Sequence, residues 1–143
     1  MESKRYKPLI DKFFCILFTV TLVLVTTPMV VCGVFAPTTL FITVPIFLFS
    51  AYFFVSPLTG YVELGESTVY IRYGIIMTKE IPYSKIRSVE KDRTAISPSL
   101  VSLKNALEHV NIKYNTFDIT TVSVKDNDGF IEELEKRRAN ALR

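Results

Sequence analysis

The sequence predicts a membrane-anchored α+β protein. We expect an N-terminal hairpin of two transmembrane helices, followed by a small antiparallel β-barrel or β-sandwich that a C-terminal α-helix caps. Two observations lead to this prediction. No Lys, Arg, Asp, Glu or His occurs from residue 13 to residue 62 of the 143-residue chain. After that stretch, short runs of alternating β-branched, aromatic and polar residues are separated by glycines, which is typical of antiparallel strands.

Residues 1–12 form the first element, which is predicted to be a basic cytoplasmic flank. Four basic side chains outnumber Glu2 and Asp11 in it, and Lys and Arg residues next to membrane helices are retained on the cytoplasmic side. The same charges favour contact with anionic headgroups by about 1 kcal/mol per residue near the surface. The membrane-flanking basic residues are Lys4, Arg5, Lys7 and Lys12.

Residues 13–57 supply two predicted transmembrane helices, at about 13–33 and 38–56. A spanning helix needs about 20 predominantly apolar residues, and Gly33 and Pro37 are turn formers between the two stretches. The turn carries no cation, so we expect a two-span protein of the cell membrane with both termini in the cytoplasm.

A cleaved signal peptide is the alternative interpretation of the N-terminal region. Basic residues, an apolar stretch and the small-residue site Val34-Phe35-Ala36 resemble such a peptide. The apolar run, however, is longer than the roughly 7–15 residues of a typical signal-peptide core. Pro37, directly after the cleavage position, also disfavours cleavage.

Residues 58–143 are predicted to form the folded domain, with about six strands and one final helix. A break in alternation at Ser88-Val89 indicates a β-bulge, and residues 92–106 are expected to form an irregular connection. Asp126 is a good N-cap for a helix at about 126–140 that would cover one open end of the strands. The predicted strands lie at 61–64, 68–73, 75–81, 85–91, 109–115 and 116–124.

Four short motifs follow one another in this half of the chain. They are Ile81-Pro82-Tyr83 with Ile86, a serine-rich connection at 97–102, Ile112 with Tyr114, and Ser123, Lys125, Asp126 and Phe130 at the entry to the last helix. In this order they resemble the bacterial pleckstrin-homology-like (PH-like) family, its YyaB-like branch in particular, over roughly residues 58–138. The resemblance implies a PH-like fold, a membrane location and no enzyme activity. It also makes a role in immunity to an antimicrobial peptide an expectation.

Charge and composition exclude several classes of function. Residues 63–143 carry 13 basic and 12 acidic groups, whereas a nucleic-acid-binding domain usually has a concentrated basic face. We therefore expect no nucleic acid partner. His109 is the only histidine, and Cys15 and Cys32 both lie in the apolar stretch. No catalytic residues, metal site or cofactor are expected.

Six cations on neighbouring predicted strands and the following loop form the candidate binding set. They are either the solvated face of a small sheet or a surface for anionic lipid headgroups or an acidic partner. Interspersed carboxylates, such as Glu80 and Glu90, weaken the second interpretation. The candidate residues are Arg72, Lys79, Lys85, Arg87, Lys91 and Arg93.

The expected function is a non-enzymatic, membrane-anchored interaction module that binds membrane lipids and a protein or peptide partner. Exposed strand edges offer a docking route by strand addition. The alternative is a structural or accessory subunit of a membrane complex, with the helical hairpin as its main contact. Small hydroxyl side chains favour helix association, and the hairpin contains Thr19, Thr21, Thr26, Thr27, Thr43 and Ser50.

Overall fold

The computed structural model describes residues 3–99 and 102–142, without the side chains of residues 53, 54 and 57. It contains three α-helices and seven strands within those residues. In chain order they are β1 (Lys4–Tyr6), α1 (Lys12–Phe35), α2 (Leu40–Thr59), β2 (Tyr61–Leu64), β3 (Thr68–Tyr73), β4 (Met77–Pro82), β5 (Ile86–Arg93), β6 (Glu108–Tyr114), β7 (Asp118–Val122) and α3 (Asn127–Ala141).

The apolar stretch forms two helices joined at Ala36 and a short 3-10 turn, Pro37–Thr39. Among the described residues, one helix, α1, is long and apolar enough to cross a membrane, with a mean hydropathy of 2.4 over its most apolar window. By the same criteria, applied to the described residues alone, Pro37–Tyr52 is a shorter apolar helix. No residue of α1 is buried, so α1 is not the core helix of the domain.

Strand β1 was not expected, because residues 1–12 were interpreted as a flank outside the domain. It is the edge strand of a four-stranded antiparallel sheet with the order β1-β2-β3-β4. Its register places Lys4 opposite Leu64 and Tyr6 opposite Val62. Tyr6 is only 7% exposed and belongs to the core. Three residues with a single apolar side chain are too short for periodicity to reveal a strand.

The second sheet contains three antiparallel strands in the order β5-β6-β7. Its register shifts between Ile86 and Ser88, which confirms the predicted bulge to within about two residues. The sequence left open whether the strands form a β-barrel or a β-sandwich. The structure has two separate sheets and no closed barrel among the described residues. Strand β4 ends at Pro82, which cannot donate to a strand ladder, and a 3-10 turn, Tyr83–Lys85, separates it from β5.

The chain between β1 and α1 joins the two sheets on one side. Pro8 forms an antiparallel bridge with Val124, where Leu9 N donates to Ser123 O at 2.9 Å and Lys125 N to Lys7 O at 3.1 Å. Leu103 forms a parallel bridge to Val122 on the same strand. These contacts cover the edge of β7 that faces away from β6.

Helix α3 packs on the core as predicted. Asp126 caps it by accepting from Gly129 N at 2.9 Å, and Phe130 and Leu134 are fully buried. The ring of Phe130 meets that of Tyr6 edge to face, with centroids 5.1 Å apart. The observed helix, Asn127–Ala141, lies within one residue of the predicted range at each end.

Candidate functional site

The junction between the helices and the domain is held by polar contacts from Asp11. Its carboxylate accepts from Phe14 N at 2.8 Å, which caps α1, and from Leu107 N at 2.7 Å. Its own backbone N–H donates to Asn105 O at 3.1 Å. The start of α1 is therefore fixed to the connection that precedes β6. No sequence pattern indicated the link to the domain, because Asn105 and Leu107 lie more than 90 residues away from Asp11.

The return of the chain from α2 requires two close backbone approaches. A Cβ on Gly60 would lie 2.2 Å from Leu103 Cδ1 and 2.7 Å from Arg72 O. Gly74, in the β3–β4 turn, has a φ of +71°, and a Cβ there would lie 2.2 Å from Ser56 Oγ. Only glycine fits both the left-handed conformation and the contact at this position. The turn therefore packs directly on the last part of α2.

The six candidate cations do not form one site. Arg72 and Lys79 lie on β3 and β4 of the first sheet, whereas the other four lie on β5 and the 3-10 turn before it. The cations of the second group are Lys85, Arg87, Lys91 and Arg93.

Four of these cations have intramolecular partners. Arg72 Nε donates to Gly74 O at 2.9 Å, and Lys79 Nζ lies 4.8 Å from the ring centroid of Tyr114. Arg87 donates to Thr116 O at 2.6 Å. Lys91 Nζ donates to the Asp128 carboxylate at 2.9 Å, and this hydrogen bond raises the pKa of Lys91. These side chains contribute to the fold whether or not they also contact a partner.

Lys85 and Arg93 differ from the other four. Both side chains are exposed, and neither forms a hydrogen bond or ion pair with another of the described residues. With the exposed Arg87 they flank the two ends of β5. These three cations are the members of the candidate set most available to an anionic partner.

The N-terminal cations are also part of the domain. Arg5 forms an ion pair with Glu63 at 2.9 Å, and its guanidinium lies 4.2 Å from the ring centroid of Tyr61. Lys4 Nζ lies 5.2 Å from the ring centroid of Tyr6. Lys7 contributes its carbonyl to the bridge between the sheets, and Lys12 is the first residue of α1. Lys4 and Arg5 therefore belong to β1, and Lys7 belongs to the following segment that joins the two sheets.

The polar groups near His109 offer a structural explanation for this residue. His109 is fully buried, with Nδ1 2.8 Å from Leu107 O and Nε2 3.7 Å from the Asp92 carboxylate. The start of β6 is held against β5 by the strand ladder, in which Asp92 lies opposite His109. No group of three His, Cys, Asp or Glu residues placed to hold a metal ion occurs in the described part of the chain.

A comparison with protein-family models identifies residues 59–138 as a bacterial PH domain. The chain belongs to the bacterial PH domain family. This confirms the predicted family and its approximate bounds. Searches of curated proteins and of solved structures each found no match.

The matched region of the PH domain begins at the end of α2 and includes β2 to β7 and most of α3. It leaves out β1, although β1 completes the first sheet. PH-like domains are generally non-catalytic binding modules. Family membership therefore indicates a non-enzymatic interaction module.

Proposed function

We propose that this PH domain is a non-enzymatic interaction module held at the cytoplasmic face of the cell membrane by two spanning helices, where it binds a protein or peptide partner beside the membrane lipids. One observation carries the membrane part of the proposal. Strand β1 precedes both apolar helices, strand β2 follows them, and the two strands are paired in one sheet.

This pairing restricts how the chain can cross a bilayer. Because β1 and β2 lie on the same side, the number of crossings between them must be even. Helix α1 has 24 residues and a length of about 36 Å at ~1.5 Å per residue, enough for a hydrocarbon core of ~30 Å. If α1 crosses, α2 must cross back, and its 20 residues measure about 30 Å.

The same strand argues against a cleaved signal peptide. Cleavage after Ala36 would remove β1, the buried Tyr6 and the bridge between Pro8 and Val124. The first sheet would lose its edge strand and the second sheet the cover over β7. Retention of the N-terminus therefore agrees with the packing of the domain.

The position of the cations on β5 supports a protein or peptide partner. The segment that leads into α1 is bonded to residues 123 and 125, directly after β7, and β5 lies two strands from β7, about 10 Å at ~4.8 Å per strand. In the described sheet β5 pairs only with β6, so its other edge can accept an extended peptide. Lys85, Arg87 and Arg93 would favour an acidic one.

The alternative, an accessory subunit assembled through the hairpin, has less support. Its hydroxyl side chains donate within their own helices: Thr19 to Cys15 O at 2.9 Å and Thr27 to Val23 O at 2.8 Å, for example. These hydroxyl groups therefore already donate to backbone carbonyls of their own helix rather than to a neighbouring helix. Replacing the hairpin with an unrelated two-span anchor separates the two functions, because an interaction module would still work and an accessory subunit would not.

Immunity to an antimicrobial peptide, which the family resemblance implies, is the most specific form of this proposal. It predicts that a strain lacking the protein becomes sensitive to such a peptide, and that the full-length protein restores resistance. Unchanged sensitivity to a broad panel of peptides would rule this form out without affecting the module itself.

Cysteine labelling of the full-length protein tests the membrane arrangement. With Cys15 and Cys32 replaced by alanine, a single cysteine is placed at Ser3 or at Thr38. We expect an impermeant maleimide to label position 38 on intact cells and position 3 only after the membrane is opened. Equal labelling at both positions, or release of the protein at alkaline pH, would contradict the proposal.

Charge reversal tests the binding part. The triple variant Lys85→Glu/Arg87→Glu/Arg93→Glu should lose a partner that co-purifies with the full-length protein from detergent-solubilised membranes. The exposed lysines Lys125 and Lys136 provide a matched control by reversal to glutamate, which should retain the partner. Equal recovery with both variants would show that the β5 cations are not the binding surface.

A further inference from the structure

We propose that the β3–β4 turn, residues 74–77, inserts into the interfacial layer of the bilayer beside the last turn of α2 and so docks the PH domain on the membrane in a fixed orientation. The inference rests on the proposed function, because it needs α2 to lie in the bilayer.

The turn is apolar where hairpin turns are ordinarily polar. Ile75, Ile76 and Met77 are 63%, 76% and 41% exposed. Gly, Pro, Asn, Asp and Ser dominate such positions in water, and contiguous exposed apolar side chains mark interaction sites. These exposed apolar side chains therefore indicate that the turn contacts an apolar environment.

The position of the turn identifies that environment. Gly74 packs against Ser56, which lies three residues, or about 4.5 Å along the helix axis, before the end of α2 at Thr59. Val55 and Leu58 on either side of Ser56 are also exposed, at 44% and 55%. The turn and the helix end thus form one continuous apolar surface at the depth where a spanning helix leaves the hydrocarbon.

The turn is also held rigidly, so little conformational freedom is lost on insertion. The Arg72 guanidinium donates to Gly74 O at 2.9 Å and to Ile75 O at 3.5 Å. Arg72 and Lys79, on the two strands that enter and leave the turn, place positive charge next to the apolar tip. Cations beside an inserted apolar segment attract anionic headgroups.

Fluorescence of the full-length protein in vesicles tests the insertion. In the background without Cys15 and Cys32, an environment-sensitive fluorophore is attached to Ile76→Cys and the protein is reconstituted into vesicles of phosphatidylethanolamine and phosphatidylglycerol. The matched control is Leu142→Cys. Leu142 is similarly exposed, at 62%, but directly follows α3. This helix contacts Leu64 through Arg137, at the end of β2 that points away from α2.

We expect the label at 76 to emit at shorter wavelength than the label at 142, and to lose intensity with quenchers on lipid acyl chains but not with aqueous iodide. Quenching by iodide, as at 142, would overturn the inference. Protection from both quenchers would also overturn it, since the turn would then be covered by protein, including a second copy of the chain.

Alkaline extraction of the same vesicles separates this inference from the proposed function. Release of the protein would overturn both, because α2 would not lie in the bilayer. Retention with a water-exposed label at 76 would overturn the turn insertion alone and leave the two-span anchor intact.

Discussion

At the scale of single residues, the most informative side chain is Arg137. Its Nη1 atom donates to Leu64 O at 2.9 Å and to Gly65 O at 2.8 Å, and its Nε atom donates to Glu133 at 2.7 Å. Only 5% of Arg137 is exposed. The sequence does not single out Arg137, since a run of charges on a helix gives no sign of which one is buried.

Replacing Arg137 by methionine should strongly destabilise the PH domain. The change keeps the aliphatic stem but leaves two carbonyls and the Glu133 carboxylate without this donor, a cost of about 2–4 kcal/mol. The thermal midpoint in detergent should fall by roughly 10 °C or more. Arg138→Met, which removes an ion pair with the partly exposed Glu135, should cost less than about 1 kcal/mol. Equal losses would contradict the assigned role.

The stability of the domain should fall at alkaline pH because of Tyr73. Burial raises the pKa of Tyr73 from its ordinary value of 10.0 to about 12 in the folded state. The contribution of this shift to the free energy of unfolding is complete below pH 10 and is lost as the pH rises towards 12. The Tyr73 hydroxyl bonds Thr120 inside the core.

Comparison of two variants isolates the contribution of Tyr73 to the loss of stability at alkaline pH. The decrease in thermal midpoint between pH 9.5 and pH 11.5 should be smaller for Tyr73→Phe than for the unmodified chain. Tyr70→Phe, on the outer face of the same sheet, controls for the loss of a hydroxyl and should retain the full decrease. An unchanged decrease in Tyr73→Phe would show that another group is responsible.

At the scale of secondary structure elements, β1 determines what counts as the complete PH domain. The matched region begins at residue 59, yet Tyr6 packs on Phe130 and residues 7–9 pair with residues 123–125, directly after β7. A fragment of residues 58–143 would expose both sites. The helical hairpin of α1 and α2 is therefore an insertion within the folded domain rather than an addition in front of it.

Two soluble chains test this conclusion. Residues 58–143 alone should not unfold cooperatively, whereas residues 3–11 joined to residues 60–142 by about eight Gly and Ser residues should. Such a linker reaches roughly 15 Å on average, and the cavity lined by both Phe14 and Leu58 shows that the helix ends lie close together. Cooperative unfolding of the shorter chain, measured by circular dichroism, would show that β1 is dispensable.

The elements differ in how much of them the sequence could predict. Alternation and glycines located β2 to β4, β6 and β7 because each pattern extends over several residues, and the N-cap Asp126 located the start of α3. The contacts of Asp11 and Leu103 could not be predicted, since both depend on partners brought close only by the complete fold. Four of the candidate cations lie on strands as predicted, whereas Lys85 lies in the 3-10 turn rather than on a strand and Arg93 ends β5 rather than lying in the connection. Their distribution over two sheets, which the sequence pattern did not reveal, depended on the 3-10 turn after β4.

At the scale of the whole molecule, the pairing of β1 with β2 predicts that folding of the PH domain depends on the number of membrane crossings between the two strands. Adding one unrelated transmembrane helix at the turn, residues 37–39, should place the two strands on opposite sides and prevent the domain from folding. Adding two such helices should restore it. Protease resistance of the domain in isolated membranes measures the outcome, and equal resistance of both insertion variants would contradict the two-span arrangement.

The early position of β1 in the chain also affects biosynthesis. Tyr6 leaves the ribosome 56 residues before its partner Val62, a delay of roughly 3–11 s at ~5–20 residues per second. During that time β1 has no partner strand, and both apolar helices are made. In the two-span arrangement that we propose, completion of the first sheet requires the chain to have returned to the side on which synthesis began. A chain that inserted wrongly would present an unfolded domain to the cell's proteases.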